Sequence, residues 1–325
     1  MSVARIYVSE VIEGLIDGTA IRSVVRAQCQ KVLRDLPGSV ADKLQKHLHY
    51  SAGKCMGYPA VWFVQQALEK SVEQTASLLA EMPAPLYVSL TTSIADDFLD
   101  RDPNVDAGHM MLLYMFMFEA LSEQHWFHGE QRREWLDRVF PLVGAFVAPQ
   151  DPFSTVDIRD VVESSGRRIG AFFEVIAYSL TGAVSGERRR EIVELAGKFG
   201  DWCSHLDDIV DIEIDLLDGA HLTFPVWAIA QHSDAHRQAV GARDLGGCAS
   251  LIASTEFVES LIDKQLERLK ELKDRAEAAN LHLLAHCFER MRARTPEAIY
   301  AVRSKPQSIR LTAPARIEAV EKSCA

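Results

Sequence analysis

The 325-residue chain lacks a long hydrophobic run: no stretch approaches the roughly 18 consecutive apolar residues that a membrane-spanning helix needs. Its most apolar window, Met110 to Leu121, is short and ends in charge. Positive charge is in deficit. Against 46 Asp and Glu stand 35 Lys and Arg, a net charge of −11, which disfavours a nucleic-acid-binding surface. The segment Met1 to Glu10 has no basic-then-apolar pattern of a secretory signal. The six cysteines (Cys29, Cys55, Cys203, Cys248, Cys287, Cys324) show no CxxC spacing, so they read as reduced thiols of a cytoplasmic protein, not a disulfide frame or a zinc site. No internal repeat or low-complexity segment occurs, and no stretch alternates as a strand face would. An acidic protein that handles an anionic substrate must therefore do so through metal cations or local Lys and Arg.

What is present is ordinary for a globular chain with a sizeable core: 48% hydrophobic and 25% charged residues. Length alone allows two domains or one large all-α domain. A 3.6-residue period runs through almost every segment and predicts helices over 8–34, 40–49, 58–81, 84–101, 107–126, 130–147, 155–182, 187–217, 222–232, 254–278, 280–293 and 295–303. Pro37-Gly38, Pro83 and Pro85, Asp102-Pro103-Asn104, Pro149 to Pro152, Gly186, Asp218-Gly219 and Gly246-Gly247 are the expected breaks, and Asp151 to Ser154 would cap the long helix that follows. The expectation is a single all-α domain over 1–305 and a tail over 306–325, where the period is lost. Glu267 to Glu277 reads as a solvated helix face with i,i+4 ion pairs.

Two aspartate clusters carry the chemistry. In Ile94-Ala95-Asp96-Asp97-Phe98-Leu99-Asp100, Asp96 and Asp100 share a helix face with Asp97 beside them. Three carboxylates so placed repel one another unless a cation lies between them. In Leu206-Asp207-Asp208-Ile209-Val210-Asp211-Ile212-Glu213-Ile214-Asp215, Asp207, Asp211 and Asp215 form a stripe along two turns, and the intervening Ile and Val residues imply a largely buried helix. Buried carboxylates need compensation. Mg2+, a hard cation bound by carboxylate oxygens and water, supplies it; basic partners would serve as well, but the flanking sequence holds few.

Two DDxxD clusters on separate helices can face each other across a bundle and hold Mg2+ against the two phosphates of one substrate. This arrangement resembles the trans-prenyltransferases and class I terpene synthases of the isoprenoid synthase fold. Other landmarks fall in the same order. Gly53-Lys54 ahead of Pro59 looks like the start of that family's Gly-Lys-Arg-x-x-Arg-Pro segment, and Arg168 to Phe173 with Gly182-Ala183 resembles its Lys-Thr-x-x-Leu-Phe…Gly-Ala stretch. Lys198-Phe199-Gly200, then Gly219 and Thr223-Phe224-Pro225, resemble the flanks of its second aspartate motif. The likeness spans roughly residues 45–305.

The departures select a reaction. The place of the arginine pair that grips the allylic diphosphate reads Arg101-Asp102-Pro103-Asn104. Cys55 and Gly57 replace the arginines that follow Lys54, and Ala220-His221 replaces the lysine after the second motif. These losses fall mostly on the site for isopentenyl diphosphate, while the aspartates are intact. With one allylic diphosphate and no partner alkene, ionisation leaves a carbocation that reacts with itself or with water. The resemblance thus implies a Mg2+-dependent class I terpene synthase acting on a prenyl diphosphate, with geranylgeranyl diphosphate favoured because Thr92 and Val88, one and two turns before Asp96, are not large aromatics. Two alternatives stay open: a chain-elongating polyprenyl diphosphate synthase, and a weakly active regulatory subunit of an active partner.

The resemblance also distributes roles. Asp96 and Asp100 are expected to be direct Mg2+ ligands with Asp97 in support. Asp207 would hold the third of three ions with Asp211 second, Asp208 belonging to the same catalytic set and Asp215 to an outer position. Arg168 is the leading diphosphate contact, or shares a helix-surface role with Arg167; Lys54 is a second contact or a surface lysine. Thr92 would line the substrate's path. Arg303 and Lys305 would close over the site, and Phe172, with Phe98, Phe173, Tyr178 and Trp202, would either face cationic intermediates or pack the core. The Met110 to Met117 run reads as adaptable core. His205 is expected to assist deprotonation or to cap a turn, and a homodimer is expected.

Overall fold

The computed structural model describes residues 11–12, 14–35, 57–99, 128–147, 158–184, 186–218 and 223–303. Every regular element among them is an α-helix, as the period requires. In chain order these are α1 (Thr19–Asp35), α2 (Tyr58–Ala67), α3 (Val72–Glu81), α4 (Ala84–Leu99), α5 (Gly129–Val147), α6 (Ile158–Leu180) and α7 (Gly186–Val210). There follow α8 (Ile212–Asp218), α9 (Phe224–His232), α10 (Asp234–Gly241), α11 (Leu245–Ile252), α12 (Thr255–Ala278) and α13 (His282–Arg303). The segments expected over 40–49, 107–126 and 306–325, the Asp151 to Ser154 cap and the methionine run lie outside the described residues.

The two long helices α6 and α7, of 23 and 25 residues, make the most extensive pairing among the described elements. Glycine permits their close approach. A Cβ on Gly200 would lie 2.7 Å from the Ile169 carbonyl oxygen and 3.0 Å from the Gly170 Cα, and one on Gly170 would collide with the Asp201 carboxylate. Backbone meets backbone there, so neither position has room for a methyl group.

Beside this crossing the core is aromatic. Phe199 of α7 stacks on Trp202 and on Phe63 of α2, with ring centroids 5.8 and 5.5 Å away, and meets Phe173 of α6 edge-on at 5.8 Å. Trp62 of α2 and Phe288 of α13 complete its surroundings, each at 5.8 Å. One ring thereby ties four helices together, and offset or edge-on contacts of this kind stabilise by about 0.5–1.5 kcal/mol each beyond their burial. Helix α4, which carries Asp96 and Asp97, packs against α6; α12 packs against α7 and pairs with α13.

Several boundaries differ from the sequence expectation. The stretch 58–81 is two helices, because Glu69 takes a left-handed φ of 54° and Ser71 opens α3 with a reciprocal capping box to Gln74. The N-terminal stretch breaks at Asp17, φ 51°. Residues 187–217 do not form one helix either: the chain bends at Asp211 between α7 and α8. Conversely, 282–303 is continuous with Pro296 inside it. Gly246 and Gly247 do not interrupt a helix but lie in the first turn of α11, the reversal having been made by Arg243 with φ 54°. No single helix among the described residues is long and apolar enough to cross a membrane; α11 and α12 pass that test only together, and they are bent by 73°.

Candidate functional site

The second aspartate cluster occupies the last turns of α7, the bend at Asp211 and the start of α8. Asp208, Asp211 and Glu213 are buried, while Asp207 and Asp215 are half-buried. Helical spacing sends Asp208 to a different face from Asp207 and Asp211. There its carboxylate accepts the Phe224 backbone N–H at the first turn of α9. Thr223, the N-cap residue of α9, makes no side-chain cap bond of its own, so Asp208 caps that helix from a distance. Burial pushes the Asp208 carboxyl well above the usual range, as do the negative charges of Asp215 and Asp207; the Phe224 N–H and the Arg268 guanidinium oppose the shift. One oxygen, Oδ2, is buried without a hydrogen-bond partner.

Arg268 is what sequence reasoning missed. It belongs to the charge-rich stretch assigned to a solvated face, yet it turns inward from α12 and donates from Nη1 to His205 Nδ1. That bond fixes His205, itself buried, as an acceptor at Nδ1. Burial lowers the Arg268 pKa, and Asp201, Glu271 and Asp208 counteract it. The signal was legible in principle: Arg268 falls in the inward row of α12 with Leu261, Gln265 and Leu272. Lys264, one turn earlier on the same helix, lies 4.6 Å from the Phe224 ring centroid.

The other expected site residues are distributed as follows. Asp96 and Asp97 stand on α4 and Arg168 on α6, their side chains outside the described ones; Lys54 and Asp100 lie outside the described residues. Val88 and Thr92 are buried on α4. Phe172 is buried on α6 and meets Phe173 edge-on at 6.0 Å. Trp202 donates its indole N–H to the Gln265 carbonyl at 3.2 Å. Tyr178 lies beneath the Arg189 guanidinium, 3.7 Å from its ring centroid, and donates to Glu134 at 2.6 Å; burial first, then that carboxylate, pushes its phenol up to about 12. Phe173, Tyr178 and Trp202 therefore have well-defined packing or hydrogen-bonding roles in the core. Arg303 donates to the carbonyls of Ile209 and Ile252, each at 3.0 Å, and lies 3.5 Å from Glu213.

The donor set suits a hard cation. It consists of carboxylate oxygens, with no soft sulfur ligand: Cys203, a turn before Asp207, has its thiol pushed well up by burial and by Asp207 and Asp201. Among the described residues no group of three or more ligating side chains converges on one point. Mg2+ does not require one, since it commonly keeps several waters and takes only one or two carboxylates plus substrate phosphates. Cys203, Cys248 and Cys287 are free thiols. Compared with the profiles of known protein families and with curated proteins, the chain matches none.

Proposed function

We propose that the protein is a Mg2+-dependent class I terpene synthase of the isoprenoid synthase fold, which ionises an allylic prenyl diphosphate and cyclises the resulting carbocation. The observation that carries this reading is the pair of intact aspartate clusters, one on α4 and one at the α7–α8 bend, combined with loss of the cations expected at a second diphosphate site. Asp96 and Asp100 on one side, Asp207 and Asp211 on the other, hold the metal in this account. When bound, Mg2+ (three ions by the family resemblance) would supply positive charge to offset that of the departing diphosphate. Arg168, and Lys54 in a lesser role, add positive charge at the diphosphate. Val88 and Thr92 would set the depth of the substrate's pocket, and Phe172 would offer its ring face to the carbocation. Asp208 acts behind the site, where it caps α9 and faces Arg268.

The substrate in this reading is geranylgeranyl diphosphate, the enzyme a cytoplasmic homodimer. Diphosphate release from geranylgeranyl diphosphate and Mg2+, with no isopentenyl diphosphate present, is the expected activity. Asp207→Asn and Asp211→Asn should each abolish it while the melting temperature holds. Turnover that persists in both variants, or without any divalent cation, would overturn the assignment. The surviving Lys54 and the prenyltransferase-like order of motifs favour chain elongation as the second reading. It predicts no diphosphate release until isopentenyl diphosphate is added.

A further inference from the structure

A helix end leaves its last carbonyls without intrahelical donors. Two such ends, those of α7 and α11, meet at one side chain. Arg303, the last residue of α13, donates from Nη1 to the Ile209 carbonyl at 3.0 Å and from Nη2 to the carbonyl of Ile252, the final residue of α11, at 3.0 Å. The same Nη2 lies 3.5 Å from Glu213 Oε1, in the first turn of α8. Both side chains are nearly sealed from solvent, at 11% and 8% exposure, so the ion pair is only weakly screened. The charges also suit the helix ends: a cation at two C-termini and a carboxylate in the first turn of α8 each complement the local backbone dipoles.

Ile209 precedes the bend at Asp211 by two residues and Glu213 follows it by two. A single guanidinium therefore grips the chain on both sides of the residue that divides the aspartate stripe. In a straight helix Asp207, Asp211 and Asp215 would stay in line, and the bend sets how far Asp215 departs from that line. We infer that Arg303 is the positioning residue of the second aspartate segment, a clasp at the end of α13 that fixes the α7–α8 bend and with it the spacing of the metal-holding carboxylates. This role rests on the proposed function only for its metal arm; the clasp itself is a property of the fold. In this role the Nη donors of Arg303 are directed at carbonyls and at Glu213.

The test uses the full chain and three variants: Arg303→Ala, Arg303→Lys and Glu213→Gln. Amide hydrogen exchange is measured in EDTA, and Mg2+ binding by calorimetry with Mg2+ alone. In Arg303→Ala, amides over 211–218 should exchange about tenfold faster or more while those in the middle of α12 keep wild-type protection. The Mg2+ dissociation constant should rise about tenfold, as when an outer partner of a metal ligand is removed. Arg303→Lys, with its single ammonium in place of a fork, should fall between wild type and Ala, and Glu213→Gln should loosen 211–218 less than Arg303→Ala. If Arg303→Ala does not fold, the Lys and Gln variants carry the same comparison. Unchanged exchange over 211–218 in folded variants overturns the inference, as does faster exchange with an unaltered Mg2+ constant. A wild type that binds no Mg2+ instead sinks the functional reading, and the exchange arm then decides the clasp alone.

Discussion

Replacing Asp208 by Asn and by Ala separates the two things a carboxylate at this position can do. In the structure it accepts the Phe224 N–H and lies buried between like charges, with Arg268 as the opposing cation. Removing the acceptor in Asp208→Ala forfeits the cap, about 1 kcal/mol, and leaves a buried helix N–H unsatisfied, about 1–3 kcal/mol. These overlap, so a loss of about 2–3 kcal/mol is expected. Asp208→Asn keeps an oxygen acceptor for Phe224 while it removes repulsion from Asp207 and Asp215 together with attraction to Arg268. Those changes oppose each other, and the net change should lie within about 0.5 kcal/mol of zero. An unfolding entropy of about 2.1 cal/mol/K per residue gives about 1.5 °C per kcal/mol for a chain of this size, so the two variants should melt about 3–4 °C apart, Asn near wild type and Ala below it. Melts in EDTA keep metal out of the comparison. Equal losses for Asn and Ala would refute the capping argument, and Mg2+-dependent turnover abolished in a fully stable Asp208→Asn would restore Asp208 to the catalytic set.

Phe199→Ala should cost about 4 kcal/mol and lower the melting temperature by about 6 °C, since rigid rings on every side limit collapse of the cavity; a loss below about 2 kcal/mol in urea unfolding would show that the aromatic cluster does not tie the helices as described. Burial raises the Glu174 carboxyl despite its 3.2 Å pair with Arg138. A raised carboxyl favours folding below its ordinary value near 4.5, and that contribution is lost as pH rises through the elevated value. Glu174→Gln should therefore gain stability relative to wild type as pH rises above the ordinary 4.5, and a relative loss on that rise would contradict the sign. Substituting Ala at Gly200, where the added methyl meets the Ile169 carbonyl at 2.7 Å, should cost about 1–3 kcal/mol by overpacking, read from the shift in urea midpoint; an unchanged midpoint would show that the crossing can yield.

Elements with both a strong period and explicit end signals were legible in the sequence. Residues 254–278 form α12 almost to the residue, because Ser254 accepts the Phe257 N–H at its start and Asn280, in the left-handed region, ends it. The misses have local causes. At Glu69 a residue other than glycine adopts positive φ, so no breaker marked the split between α2 and α3, although the Ser71 to Gln74 capping box did signal a helix start. At Pro296 the opposite occurred: α13 carries the proline through, and the preceding Thr295 returns its hydroxyl to the Met291 carbonyl at 2.8 Å.

At the site, the sequence exposed the aspartates and their burial but not their partners. Arg268 and Arg303, which face Asp208 and Glu213, come from α12 and α13, far along the chain, and only tertiary packing brings them there. The flanking sequence was a poor guide to compensation for that reason. Likewise, the even stripe of Asp207, Asp211 and Asp215 gave no hint of a bend at Asp211, because its hydrophobic neighbours suit either a straight or a broken helix.

The measurement closest to the central claim is the product of geranylgeranyl diphosphate incubated with the purified protein and Mg2+, with and without isopentenyl diphosphate. Hydrocarbons and alcohols are read by gas chromatography–mass spectrometry, and prenyl diphosphates are assayed in the aqueous phase. The account predicts a cyclic hydrocarbon or alcohol made without isopentenyl diphosphate and lost in Asp96→Ala. A longer prenyl diphosphate, formed only when both substrates are present, would contradict it.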